Sequence, residues 1–144
     1  MTATTVAQHI SDGTLSLHDL TSLLGTDAAT VIWMTGENSP HSLFTAAFTS
    51  YLDGVLGQDQ AEVPPGLTVW RPNGSTIIPY RTQGDQAMRG YADAWGCPCS
   101  TIVRCTAEYS PGAAFSAGMS SYLTRVFQRS QVHVPDGTVL FYLR

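Results

Sequence analysis

Lysine is absent from all 144 residues, and the first 70 contain no arginine either. That stretch carries Asp12, Asp19, Asp27, Glu37, Asp53, Asp59 and Glu62 with no fixed positive charge among them. All seven arginines follow (Arg71, Arg81, Arg89, Arg104, Arg125, Arg129 and Arg144), against Asp85, Asp93, Glu108 and Asp136. The net charge of −4 and a pI near 5.3 argue against a general nucleic-acid binder. An arginine-only half still favours an anionic ligand, because the guanidinium fork pairs bidentately with carboxylate or phosphate and stacks on rings. A GC-rich coding sequence would also replace lysine by arginine, with no bearing on function.

Other absences narrow the field further. Charged residues make up 12% of the chain, about half the usual share, so the surface is weakly charged and the chain is expected to homodimerise. No apolar run approaches the roughly 20 residues that span a bilayer, and no basic and apolar leader opens the chain. No membrane association is expected. Cys97, Cys99 and Cys105 are odd in number and crowded together, a poor disulfide framework that fits a reducing, cytoplasmic setting. No Gly-x-Ser-x-Gly elbow or phosphate-binding loop is present. With 43% hydrophobic residues, the chain is long enough for one domain with its own core. Within it, 1–66 forms an acidic part and 67–144 an arginine-bearing part.

The pattern predicts an α/β (α+β) fold with a mixed β-sheet covered by helices. A short helix starts at the Ser16 cap, carries Leu17, Leu20, Leu23 and Leu24, and stops at Gly25. The apolar run 29–34 (ATVIWM) reads as a buried strand. Ser39-Pro40 is read as the start of a helix bearing Phe44, Phe48, Tyr51, Leu52 and Val55. Strands at 67–70 and 76–80 flank Pro72-Asn73-Gly74, a hairpin signal. A helix over 85–95, a strand over 100–105, a helix after Ser110-Pro111, and a pair of strands at 132–134 and 138–143 complete the expectation. The two passages from strand to Ser-Pro to helix resemble one another, but two occurrences do not define a repeat.

Tyr109-Ser110-Pro111-Gly112, Met119, Leu123 and the run from Val132-His133-Val134 through Pro135-Asp136-Gly137 resemble the last helix and strand of bacterial double-stranded-DNA cytidine deaminase toxins. Arg81-Thr82-Gln83-Gly84 falls near that family's His-x-Glu. The resemblance implies a deaminase-like order of hairpin, helix, strand, helix and strand over 67–144. Deaminases hold zinc with one His and two Cys and shuttle protons through a glutamate. Ala113 and Ser116 stand at the matching cysteine positions, and neither His nor Glu lies near Gln83. The implied scaffold is therefore zinc-free, with no metal or cofactor expected.

Several side chains remain as candidates. Arg71, Arg81 and Arg89 interleave with Trp70, Tyr80 and Tyr91, a pattern suited to holding an anion beside a stacked ring. Paired strands are expected to bring Arg71 and Arg81 together. Gln83 and Asp85 open the following helix, where Asp85 is either a cap or a base. Cys97 with His133 would make a thiolate–imidazole pair; Cys97, Cys99, Cys105 and His133 would make a zinc set at unusual spacing; or the cysteines simply pack a strand entry. The leading expectation is a binder of a small anionic molecule, including a small biosynthetic or tailoring enzyme acting at the Arg81–Asp85 corner. The competing ones are an immunity factor or adaptor that docks a basic protein partner through the acidic half, and a Cys–His hydrolase or transferase.

Overall fold

The computed structural model describes residues 5–40 and 43–144. Its elements are β1 (Val6–Ile10), α1 (Leu17–Leu24), α2 (Ala28–Asn38), α3 (Ala46–Gln58), β2 (Thr68–Asn73), β3 (Thr76–Arg81), α4 (Met88–Trp95), α5 (Cys99–Tyr109), α6 (Ala117–Arg129) and β4 (Val139–Leu143). The fold is α+β, as its composition and turns predict. Its strands form two separate antiparallel pairs, β1–β4 and β2–β3.

One relation organises the whole structure: a residue number plus 71 names the residue in the same place in the other half. The pairs Val6–Leu143 and Ile10–Val139 of the first sheet map onto Ile77–Pro72 and Arg81–Thr68, which are pairs of the second. The lone bridge Ser16–His133 maps onto Ala87–Glu62. Phe141 N–H donates to Thr35 Oγ1 at 3.0 Å, and its counterpart Trp70 N–H donates to Thr106 Oγ1 at 3.0 Å. Sequence identities follow the same shift without a gap: Gly25/Gly96, Ser39-Pro40/Ser110-Pro111, Tyr51-Leu52/Tyr122-Leu123 and Val63-Pro64/Val134-Pro135. The chain is a tandem duplication of a β-α-α-α-β unit.

The two units exchange their ends. Each sheet takes the first strand of one unit and the last strand of the other. β4 packs on α2, and β2 packs on α5. The third helices cross over as well, α3 against α4 and α5, and α6 against α1 and α2. Phe48, Tyr51, Leu52, Leu123, Val126 and Phe127 from these two helices lie in one buried core with Val31, Ile32, Ile102 and Val103. Neither unit completes a sheet by itself.

Several local expectations are corrected. The runs 29–34 and 100–105 are helical, inside α2 and α5. A continuous apolar run fits a buried helix as well as a buried strand. α2 is packed on several sides and shows no clean stripe, whereas α5 alternates buried pairs with the partly exposed Thr101, Arg104 and Ala107. The order after residue 66 is therefore hairpin, helix, helix, helix, strand. Ser39-Pro40 and Ser110-Pro111 end α2 and α5, the N–H of Ser39 donating to Thr35 O and that of Ser110 to Thr106 O, each at 3.1 Å, and Ser110-Pro111 starts only a 3-10 turn over Pro111–Ala113. The helices that follow begin later, capped by Thr45 and Ser116, whose hydroxyls accept from the N–H of Phe48 and Met119. β4 pairs with β1, a strand the sequence pattern does not announce, rather than with 132–134.

Candidate functional site

The β2–β3 ladder decides which arginines share a face. Thr68 pairs with Arg81, Trp70 with Pro79, Val69 with Tyr80 and Arg71 with Ile78. Side chains alternate across a strand, so Arg71 and Tyr80 occupy one face while Arg81, Thr68 and Trp70 occupy the other. Arg71 and Arg81 are not brought together. The register places them at opposite parity.

On the inner face, Tyr80, Tyr91 and Trp95 pack with ring centroids 5.1–5.5 Å apart. The guanidinium of Arg71 lies 4.9 Å from the centroid of Trp95 and donates to Pro72 O at 3.3 Å. Tyr91 is buried and its hydroxyl donates to Asp85 Oδ1 at 3.2 Å, with burial holding the phenol above its ordinary pKa. Arg89 is exposed, 3.6 Å from Asp93 and within hydrogen-bond reach of Gly57 O. Arg71, Tyr80, Tyr91 and Trp95 brace the hairpin against α4, while Arg89 reaches toward α3 instead. Gln83 is exposed in the connection that follows.

The outer face opens onto a groove of about 620 Å³ whose walls include Leu67, Thr68, Trp70, Ser110, Phe115 and Ser116. Trp70 stacks on Tyr109 with centroids 5.5 Å apart, which fixes one wall. Gly66 lines the groove as well, and a Cβ placed on it would lie 3.7 Å from Arg81 Nη2, so the guanidinium is close to that residue. The start of α6 faces the same space through Ser116 and Gly118. Ser116 Oγ takes the N–H of Met119, while the first N–H groups of a helix lack partners within it and carry partial positive charge. No acidic residue lines the groove among the described residues. Ser110, Ser116, Gly66 and Gly118 line this groove, although the sequence pattern does not mark them as binding positions. At the mapped positions the sister unit has Leu43 for Ala114 and Ala47 for Gly118. Ala114 is smaller than its counterpart, while the space beside Gly118 is filled by the Leu67 side chain, which a Cβ there would meet at once.

The cysteine candidates lie elsewhere. All three are free thiols, Cys99 and Cys105 buried and Cys97 half-buried. Burial pushes each thiol up, Cys99 to about 11, so the neutral form prevails near neutrality. His133 belongs to the β1–β4 half, where its Nδ1 lies 3.1 Å from Gly13 O, whereas the cysteines lie at the α4–α5 turn and in α5. The structure does not join them. No group of three or more His, Cys, Asp or Glu side chains suited to a metal occurs among the described residues.

Much of the acidic excess is engaged within the fold. Asp12 accepts from Thr14, which lowers its pKa, and Asp27 caps α2. Asp53 accepts from the N–H and hydroxyl of Ser100, and Asp59 takes Arg129 through both oxygens at 3.1 and 3.0 Å. No helix among the described residues is long and apolar enough to cross a membrane. No family model, curated protein or solved structure matches the chain.

Proposed function

We propose that the chain is a binding module for a small molecule that joins an anionic group to a planar or apolar body, held in the groove between β2 and the start of α6. The observation that supports this reading is that the Trp70 wall and the first turn of α6 line one space free of acidic side chains, with Arg81 Nη2 close to Gly66 in its lining. A phosphate or carboxylate binds naturally where helix N–H groups and a guanidinium meet. The ring or apolar part lies against Trp70 and Phe115, and the hydroxyls of Thr68, Ser110 and Ser116 set its orientation. The groove's volume falls within the range of small-molecule sites, roughly 300–1,000 Å³. Three unpaired thiols fit a reducing, cytoplasmic compartment. Binding without catalysis accords with the separation of the cysteines from His133.

Calorimetric titration with phenyl phosphate, benzoate and inorganic phosphate tests the reading. Phenyl phosphate is expected to bind more tightly than inorganic phosphate. Arg81→Ala weakens phenyl phosphate about tenfold or more, the usual cost of a charge-assisted hydrogen bond. Ala114→Leu, which installs the sister unit's side chain, blocks binding while leaving the circular dichroism spectrum unchanged. Equal binding by the parent and Arg81→Ala would refute the assignment.

A further inference from the structure

Each two-stranded sheet leaves its first strand with an outer edge, and the two edges are built differently. Thr5 exchanges both backbone bonds with Arg144, and the Ser11 N–H donates to Thr138 O. The odd-numbered residues of β1 therefore bond to β4, and the N–H and C=O groups of Val6, Gln8 and Ile10 point away from it. Those N–H groups have no hydrogen-bond partner among the described residues. The outer side of β4 is occupied, since its Phe141 N–H is held by Thr35. In the sister sheet the Thr82 N–H donates to Leu67 O, which turns Ile77, Pro79 and Arg81 of β3 to the corresponding edge. Pro79 has no N–H to offer there, and Arg81 adds a charge, two features that keep an edge from pairing. At the mapped positions β1 has Gln8 and Ile10, and no Asp, Glu, Lys, Arg or Pro occurs over 5–10. The side chains of Val6, Gln8 and Ile10 share a face with Val139, Phe141 and Leu143, opposite the buried Leu140 and Tyr142. Val6 is 47% and Ile10 57% exposed on that face.

We propose that β1 pairs antiparallel with β1 of a second copy of this chain, joining two sheets into one of order β4-β1-β1-β4. The edge is self-complementary about Gln8. In a two-fold pairing Gln8 faces Gln8 of the other copy, Val6 faces Ile10, and each such pair exchanges both N–H···O bonds. The exposed side chains of Val6 and Ile10 then meet across the new ladder. Charge agrees with this pairing: the exposed Arg144, beside Thr5, comes to the same end of the sheet as the exposed Asp12 of the other copy. The interface is independent of the groove, which lies along β2. Sedimentation velocity over a dilution series, combined with amide hydrogen exchange, tests it on the full chain. The parent is expected to be a dimer at about 100 μM, with the Val6, Gln8 and Ile10 amides exchanging slowly there and quickly once diluted to monomer. Gln8→Pro and Ile10→Arg, which install the sister strand's residues, each raise the dimer dissociation constant about tenfold or more and leave the circular dichroism spectrum unchanged. Leu23→Ser, at an exposed apolar position on α1, leaves the dimer intact. A monomeric parent, a dimer whose Val6, Gln8 and Ile10 amides exchange quickly, or a dimer weakened by Leu23→Ser and not by Ile10→Arg would overturn the proposal.

Discussion

Asp53 belongs to α3 of the first unit, and its carboxylate closes the start of α5 in the second. It accepts the Ser100 N–H at 2.7 Å because α5 begins at Pro98, which offers no side-chain cap. The mapped position in the other unit is Thr124, whose hydroxyl accepts the Ala29 N–H at 3.4 Å, but there Asp27 already caps α2. Asp53→Ala is therefore expected to cost about 1–2 kcal/mol and Thr124→Ala clearly less, measured by urea unfolding. The thiols give a second prediction at this scale. Cys99 ionises near 11 in the fold against a reference of 9.0, and Tyr51 near 12 against 10.0, both because burial disfavours their charged forms. Folded-state values above the reference mean that the unfolded chain releases these protons first. The corresponding stability is complete below about pH 9 and is lost as pH rises toward 11 and 12. Urea midpoints should fall over that window, and a Cys99→Ala variant should fall less. Iodoacetamide labelling at neutral pH should be slow at all three cysteines; one fast cysteine would restore the nucleophile reading.

At the level of elements, each last strand is tied to the second helix of the other unit by one hydroxyl. Thr35 and Thr106 are both 1% exposed, and each accepts a strand N–H. Thr35→Val and Thr106→Val keep the shape but orphan a buried donor, so each should cost about 1–3 kcal/mol in chemical denaturation. The two costs should add, since the sites share no partner. The hairpin was legible in the sequence because Asn73-Gly74 has one strong local meaning, and Gly74 takes the positive φ of 65° that this turn needs. The strands assigned to 29–34 and 100–105 were not helices to the eye, because Val31-Ile32 and Ile102-Val103 are β-branched runs buried all round. The better guides were the flanking Gly25 and Gly96, which take left-handed C-cap conformations and place a second helix two or three residues on. Of the candidate binding side chains, Trp70 lines the groove and Arg81 lies beside Gly66 of its lining, while Arg71, Tyr80 and Tyr91 brace the hairpin. Strand parity makes that division, and parity follows from register, which local composition does not state.

Across the whole molecule, the duplication changes the meaning of the charge split. The acidic and arginine-bearing halves of the chain are not two lobes, since each sheet and each helix cluster draws on both. The repeat stays hidden in the sequence because its identities run to three residues at most (Ser50-Tyr51-Leu52 against Ser121-Tyr122-Leu123), while charged positions diverge (Asp19 against Gly90, Trp33 against Arg104). Interleaved units should unfold together, so Thr35→Val and Thr106→Val are expected to shift one common transition; two separable transitions would contradict the exchange of strands. Divergence between the units also shapes the groove at one end, where Ala114 stands for Leu43 and Gly118, standing for Ala47, accommodates the Leu67 side chain. The most direct test of that site is a titration of the isotope-labelled protein with phenyl phosphate, followed by amide chemical shifts. The amides of Gly66, Thr68, Ser116, Ala117 and Gly118 should move together along one binding curve, while the mapped amides of Gly137, Val139 and Thr45 stay still. Shifts centred on Arg71 or Arg125, or none at all, would contradict it.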